Sequence, residues 1–259
     1  MNMTMFQSIN KNISLAWAKA YLISLDIGVR KISPLTISVL GCPEQNYRFC
    51  EDQVIRNGLD DALIKNGKFQ SHTTANTIFP IALWNPGMDS RVLYNRYKHI
   101  LPELKRADSA NRYGLYFERM VSYGNANRNQ LEFVINTYKN GNHRPSALQI
   151  AIYDPLVDQT NQLRRGFPCL QQVAFIPDGV TGTLSIHGFY AMQYIFDRAY
   201  GNLLGLVRLG EFMAFQMGLR LSKVSTTAAV AMYGDLPKRE LISLTDLVQQ
   251  VIKTYREDD

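Results

Sequence analysis

The sequence predicts an α+β fold, and three observations lead there. Stretches with apolar residues at helical spacing are interspersed with short alternating or β-branched runs, in no strict βαβ order. Hydrophobic content of 46% and charged content of 19% are those of an ordinary globular chain. No repeat, low-complexity tract or linker divides residues 1–259, so a single domain is the simplest organisation.

Taken in order, residues 5–26 read as a helix, with Ile9, Ile13, Trp17, Ala20 and Ile23 on one face. Residues 32–40 read as a strand ending at Gly41, with Pro34 near its start, where a missing N–H matters least. A helix over 51–64 stops near Asn66-Gly67, and the apolar run 77–84 ends in the turn Asn85-Pro86-Gly87. Residues 90–100 are helical in period, and the polar segment 105–112 reads as a mobile loop. Residues 114–121 are short and aromatic, and 125–129 form a polar turn. The helix predicted over 130–139 ends at Asn140-Gly141-Asn142, where the left-handed cap conformation is accessible. Residues 148–153 alternate as a strand, and 154–166 form a polar connector. Residues 173–176 and 183–189 make a hairpin around Pro177-Asp178-Gly179. A long apolar helix over 201–218, a strand over 224–232 and a helix over 244–255, with Ser243 as N-cap, complete the chain.

Composition excludes several function classes. The net charge of +6 is spread over single residues and isolated pairs such as Lys105-Arg106 and Arg164-Arg165, so no nucleic-acid partner is expected. That surplus suits either an anionic small molecule or a plain solvated surface. Three cysteines, with no CxxC, and four histidines, with no HxxH, predict neither a disulfide framework nor a metal site. The amino-terminal stretch lacks the basic start and continuous apolar core of a signal peptide. No apolar run reaches the roughly 18 residues of a membrane span. A reducing, cytoplasmic setting with no membrane partner is the expectation.

Cys169 stands out chemically. A lone cysteine among apolar residues is commonly buried and inert. Here Pro168 fixes the backbone before it, and Arg164 and Arg165 lie close in sequence, where positive charge favours the thiolate. Asn202, after Gly201, is either a two-faced amide for a ligand or the cap of the following helix.

Pro168-Cys169, the strand pair after it, Gly201-Asn202 with its long helix, and Tyr113-Gly114 upstream resemble the thymidylate synthase and pyrimidine nucleotide hydroxymethylase family over roughly residues 75–235. The resemblance implies a thymidylate synthase-like α+β fold, with a mixed β-sheet flanked by helices. It implies Cys169 as a nucleophile adding to C6 of a pyrimidine nucleotide, with C5 then accepting a one-carbon unit from 5,10-methylenetetrahydrofolate. Asn202 becomes the base reader, Arg144 falls where family arginines reach a phosphate across the dimer interface, Arg165 is placed with the substrate, Tyr233 lies near the ribose, and Trp84 is set toward the folate. A homodimer with sheets packed face to face is implied as well.

Departures from the family pattern are equally legible. Leu170 stands where the family has histidine after the cysteine. Counted back from Asn202, the phosphate arginine's position is Ala191 and the folate-associated aspartate's is Tyr194; a shift of a few residues brings Arg198 or Asp197 into play. Counted from Trp84, the proton-handling glutamate's position is Ile81. Losing such a general acid–base costs a factor of roughly 10²–10⁴. Three readings therefore stand: a C5 methylase or hydroxymethylase, a nucleotide-binding sensor or assembly partner of the same fold without the standard reaction, and an α+β scaffold with an accidental likeness. For Trp84 and Tyr113 the competing reading is a core aromatic; for Arg144, a solvated turn residue.

Overall fold

The computed structural model describes residues 6–26, 31–162 and 167–257. The described residues open with strand β1 (Phe6–Asn10), where residues 5–26 read as one helix. Asn12 explains the break. Its Oδ1 accepts the backbone N–H of Ser14 at 2.8 Å and that of Leu15 at 3.3 Å, so helix α1 (Ile13–Asp26) begins there. The strand 32–40 is divided at Pro34 into β2 (Lys31–Ile32) and β3 (Leu35–Leu40). Helix α2 (Gln53–Lys65) is capped by Asp52, whose side chain accepts from Ile55 N at 2.9 Å. Helix α3 (Ser71–Ile78) had no sequence counterpart; its polar SHTT start hides the helical period.

Helix α4 (Ser90–Ala107) overruns the expected loop at 105–112. Lys105 lies in its last turn and reaches Glu118 at 2.6 Å, and Ser109–Tyr113 continue as a 3₁₀ turn. Next come α5 (Tyr116–Val121) and α6 (Gln130–Lys139), the latter with the bounds the sequence predicts. A short β4 (Gln149–Ala151) and the single turn α7 (Pro155–Asp158) follow. The predicted hairpin is β5 (Leu170–Asp178) and β6 (Thr183–Tyr194). Helix α8 (Tyr200–Met217) ends at Gly218 in the left-handed conformation, φ 72°. Strand β7 (Arg220–Met232) and helix α9 (Lys238–Glu257) close the chain. Ser243 therefore lies inside α9 and is not its N-cap.

The strands form one mixed, open sheet in the order β1-β3-β7-β6-β5-β4, with β2 added on β7. β1 runs parallel to β3, and β6 runs parallel to β7 through the α8 crossover; the other pairs are antiparallel. Leu35, Ile37, Val39, Val224, Ile186 and Val173 point from the sheet into a continuous core with Trp17, Leu206 and Phe212 of the helices. The opposite face carries two rows read from the register. One is Gln7-Thr36-Thr227-Phe189-Gln172; the other is Ile9-Ser38-Ser225-His187-Ala174-Gln149. Along these rows Gln7, Ile9, Phe189, Gln172 and Gln149 are exposed. Hydroxyl pairs Thr36–Thr227 (3.1 Å) and Ser38–Ser225 (2.9 Å) tie the strands together there. Among the described residues, no helix is long and apolar enough to cross a membrane.

Candidate functional site

Cys169 sits where the chain enters β5, and the backbone around it is held on three sides. Its carbonyl accepts Ala191 N at 3.0 Å from β6, and its N–H points to the Tyr116 hydroxyl at 3.4 Å. Gln171, bulged out of the β5–β6 register, folds its amide back to Pro168 O at 2.6 Å. A bulge of this kind bends the strand and re-aims its neighbours. The residue before the turn, Phe167, is clamped as well. Its ring lies 5.2 Å from that of Tyr116, and the Arg119 guanidinium stands 5.4 Å from its centre.

Arg119 is itself fixed by a buried ion pair with Asp158, at 3.0 Å, with side chains 10% and 0% exposed. Asp158 also accepts Asp154 N at 2.8 Å, so one carboxylate organises α7 and, through Arg119, the approach to Cys169. Gly114 makes room for this arrangement. It has φ 123°, and a Cβ there would lie 3.0 Å from the Phe167 ring and 3.2 Å from Arg119 Nε.

Burial pushes the Cys169 thiol above its ordinary value, while the Arg198 charge and a hydrogen bond from Tyr116 act in the opposite direction. Arg198 lies in a wide π-type turn, Ile195–Ala199, that leads into α8. The turn is pinned by Trp17 Nε1 donating to Ile195 O at 2.8 Å and by Phe196 N donating to Tyr233 O at 3.0 Å. Arg198 Nη1 reaches Thr74 Oγ1 at 3.5 Å, and its guanidinium lies 5.9 Å from the Phe69 ring. Beside it, Asp197 pairs with Lys68 at 3.0 Å through Oδ2, and its buried Oδ1 has no hydrogen-bond partner.

Asn202 is 4% exposed and is the third residue of α8, so it does not cap that helix. Its amide makes no hydrogen bond among the described residues. Its surroundings follow from helical spacing. Leu206, one turn later on the same face, would lie 2.9 Å from a Cβ placed on Gly188, with Leu170 Cδ1 3.5 Å from that point. Arg198, one turn earlier, acts on the thiol. Asn202 lies between these two along the chain, and its neighbour Gly201 packs on Ser71 and Thr74 of α3. Tyr190, paired with Leu170 across β5–β6, carries a fully buried hydroxyl without a partner.

The other residues singled out by sequence are dispersed. Tyr233 stacks obliquely on Tyr21 at 5.8 Å; burial pushes its phenol up, with the Tyr21 hydrogen bond and the Asp197 charge adding to this. Arg144 is exposed ahead of β4, whose Gln149 end lies opposite Ala174, so within one chain it is directed away from Cys169. Trp84 is 6% exposed and boxed in by Phe79, Phe212 and Phe215 at 5.6–5.9 Å, with its indole N–H unpartnered. That enclosure supports the core reading and leaves no open ring face for a stacked cofactor. Arg164 and Arg165 lie outside the described residues.

Tyr116 and Tyr190 were missed by sequence reasoning. Alternation along β6 signals that Tyr190 points inward, whereas nothing local signals Tyr116, which lies 53 positions from Cys169. Among the described residues, no group of three His, Cys, Asp or Glu side chains is placed to hold a metal ion. Compared with known proteins, the chain matches no family model and no curated sequence.

Proposed function

We propose that this protein binds a pyrimidine nucleotide and activates its C5 carbon, acting as a one-carbon transferase (methylase or hydroxymethylase) of the thymidylate synthase type. The observation that carries the reading is the Arg198 charge acting on the Cys169 thiol from the turn that leads into α8, the helix in which Asn202 is the third residue. In the reaction the ionised sulfur forms a bond to C6. The C5–C6 π electrons move toward C5 and the adjacent carbonyl oxygen, and the thiol proton passes to solvent. Asn202 offers one donor and one acceptor to the base edge, and Arg198 supplies the positive charge that Ala191 lacks. Trp84, enclosed by Phe79, Phe212 and Phe215, does not fit a stacking partner for methylenetetrahydrofolate.

Exchange of a C5 hydrogen is the direct assay. Deoxyuridine and deoxycytidine monophosphates carrying tritium at C5 are incubated with wild type and with Cys169→Ala, with and without methylenetetrahydrofolate. Release that requires Cys169 is expected; equal release in both proteins, or in neither, overturns the transferase reading. The second reading, a nucleotide-binding protein of this fold without the reaction, is favoured by Ile81, Ala191 and Tyr194 at the family's functional positions. It is read by thermal shift, since a ligand at 100 times its dissociation constant adds about 2.7 kcal/mol.

The same reading includes a homodimer built on the sheet face opposite the core. Two rows of uncharged hydroxyl, amide and scattered apolar side chains around His187, with Phe189 exposed near the centre, suit a second copy laid face to face. Sedimentation of wild type and Phe189→Asp checks this: a dimer that becomes monomeric is expected, and a wild-type monomer sinks it.

A further inference from the structure

Cys169 lacks a histidine neighbour, yet two phenols stand beside it, and they differ in one respect. Tyr190's hydroxyl is fully buried with no partner. Tyr116's hydroxyl receives the Cys169 N–H at 3.4 Å and lies against the Leu170 N–H as well. A hydroxyl has one proton and two lone pairs. When backbone N–H groups occupy the lone-pair side, the proton is directed to whatever acceptor remains, and the side chain of Cys169, the residue whose own N–H meets that oxygen at 3.4 Å, is the acceptor at hand.

The ring has little freedom to turn away. Phe167 covers it at 5.2 Å. It stands in the first turn of α5, which is locked by Glu118 accepting Leu115 N at 3.2 Å. Burial pushes the phenol above its ordinary range, so it stays protonated and acts as a donor, not as a base.

We propose that Tyr116 is a catalytic residue whose hydroxyl donates a hydrogen bond to the Cys169 thiolate and, with the charge of Arg198, takes the place of a histidine beside the nucleophile. The inference rests on the reading of Cys169 as a nucleophile, but not on the identity of the ligand. A donor that strengthens when the sulfur becomes anionic lowers the cost of ionisation, because hydrogen bonds to charged groups exceed those to neutral ones. No proton crosses from Tyr116 to sulfur; the thiol proton leaves to solvent.

The test reads the thiol itself. The full chain is alkylated with iodoacetamide across a pH series, and the Cys169 peptide is followed by mass spectrometry apart from those of Cys42 and Cys50. A sulfur–carbon bond forms, iodide leaves, and the thiol proton goes to buffer, so the rate follows the thiolate fraction. Tyr116→Phe is expected to raise the midpoint of the profile by about one pH unit or more. Tyr190→Phe, which removes a nearby phenol without that hydrogen bond, is expected to move it far less.

A third variant guards against misfolding: 3-fluorotyrosine at position 116 keeps the shape, makes a more acidic donor, and is expected to lower the midpoint. An unchanged profile in Tyr116→Phe, an equal shift in Tyr190→Phe, or a raised midpoint with fluorotyrosine overturns the proposal. Because no nucleotide enters the assay, its outcome is independent of the tritium experiment. The expected shift without tritium release keeps Tyr116's role and sinks the transferase reading; release without the shift does the reverse.

Discussion

Asn202 separates ligand recognition from architecture. Its amide makes no hydrogen bond among the described residues yet is not one of the fully buried polar groups left without a partner, so it keeps access to solvent and costs the fold little. Asn202→Leu, close in volume, is therefore expected to hold or raise the melting temperature while abolishing any nucleotide-induced shift. A drop in melting temperature with the ligand shift intact assigns the amide to the fold instead. Cys169 and Asn202 were both legible in the sequence because a proline-cysteine turn and a glycine-asparagine helix start are local patterns. Their partners were not. Tyr116 and Arg119 reach the site through contacts spanning 53 and 39 positions, which no window of sequence reveals.

At the scale of elements, α8 is the spine of the site, and its closeness to α3 depends on small residues. A Cβ on Gly201 would lie 2.6 Å from Thr74 Cβ and 2.8 Å from the Ser71 carbonyl oxygen, the latter unable to swing aside. Gly201→Ala is expected to cost about 1–3 kcal/mol by forcing the two helices apart. Differential scanning calorimetry reads that as a fall of roughly 2–4 °C per kcal/mol. Helix α6 was predicted with its observed bounds because both ends carry local signals, Asn129 before it and Asn140-Gly141 after it. β1 was not, since five residues beside a strong helix period disclose their strand character only through parallel pairing with β3. The charged end of α4 misled for a related reason: its lysine and arginine solvate a helix end as readily as a loop.

For the whole molecule, the sheet face opposite the core has its own pH dependence. His187 is half-buried there, and its pKa is held below 6.5 by burial first and by the nearby Lys223 charge second. A depressed histidine adds stability that is fully present above pH 6.5 and is lost as the pH falls through the lowered value. Denaturation midpoints and sedimentation below pH 6.5 are expected to show weakening that His187→Gln reduces. An unaltered acid limb in that variant removes His187 from the account.

Strands β6 and β7 are each paired on both sides at the middle of the sheet, and the turn and helix that join them carry Arg198 and Asn202. Amides in such a place exchange with solvent only when the whole chain opens, whereas those of the edge strands β1 and β4 exchange through local fraying. Tyr190, Arg198 and Asn202 thus hang from the slowest-exchanging region of the protein. Occupancy by a ligand is then expected to slow deuterium uptake across β6 and β7 together, by one common factor, even at amides far from any contact.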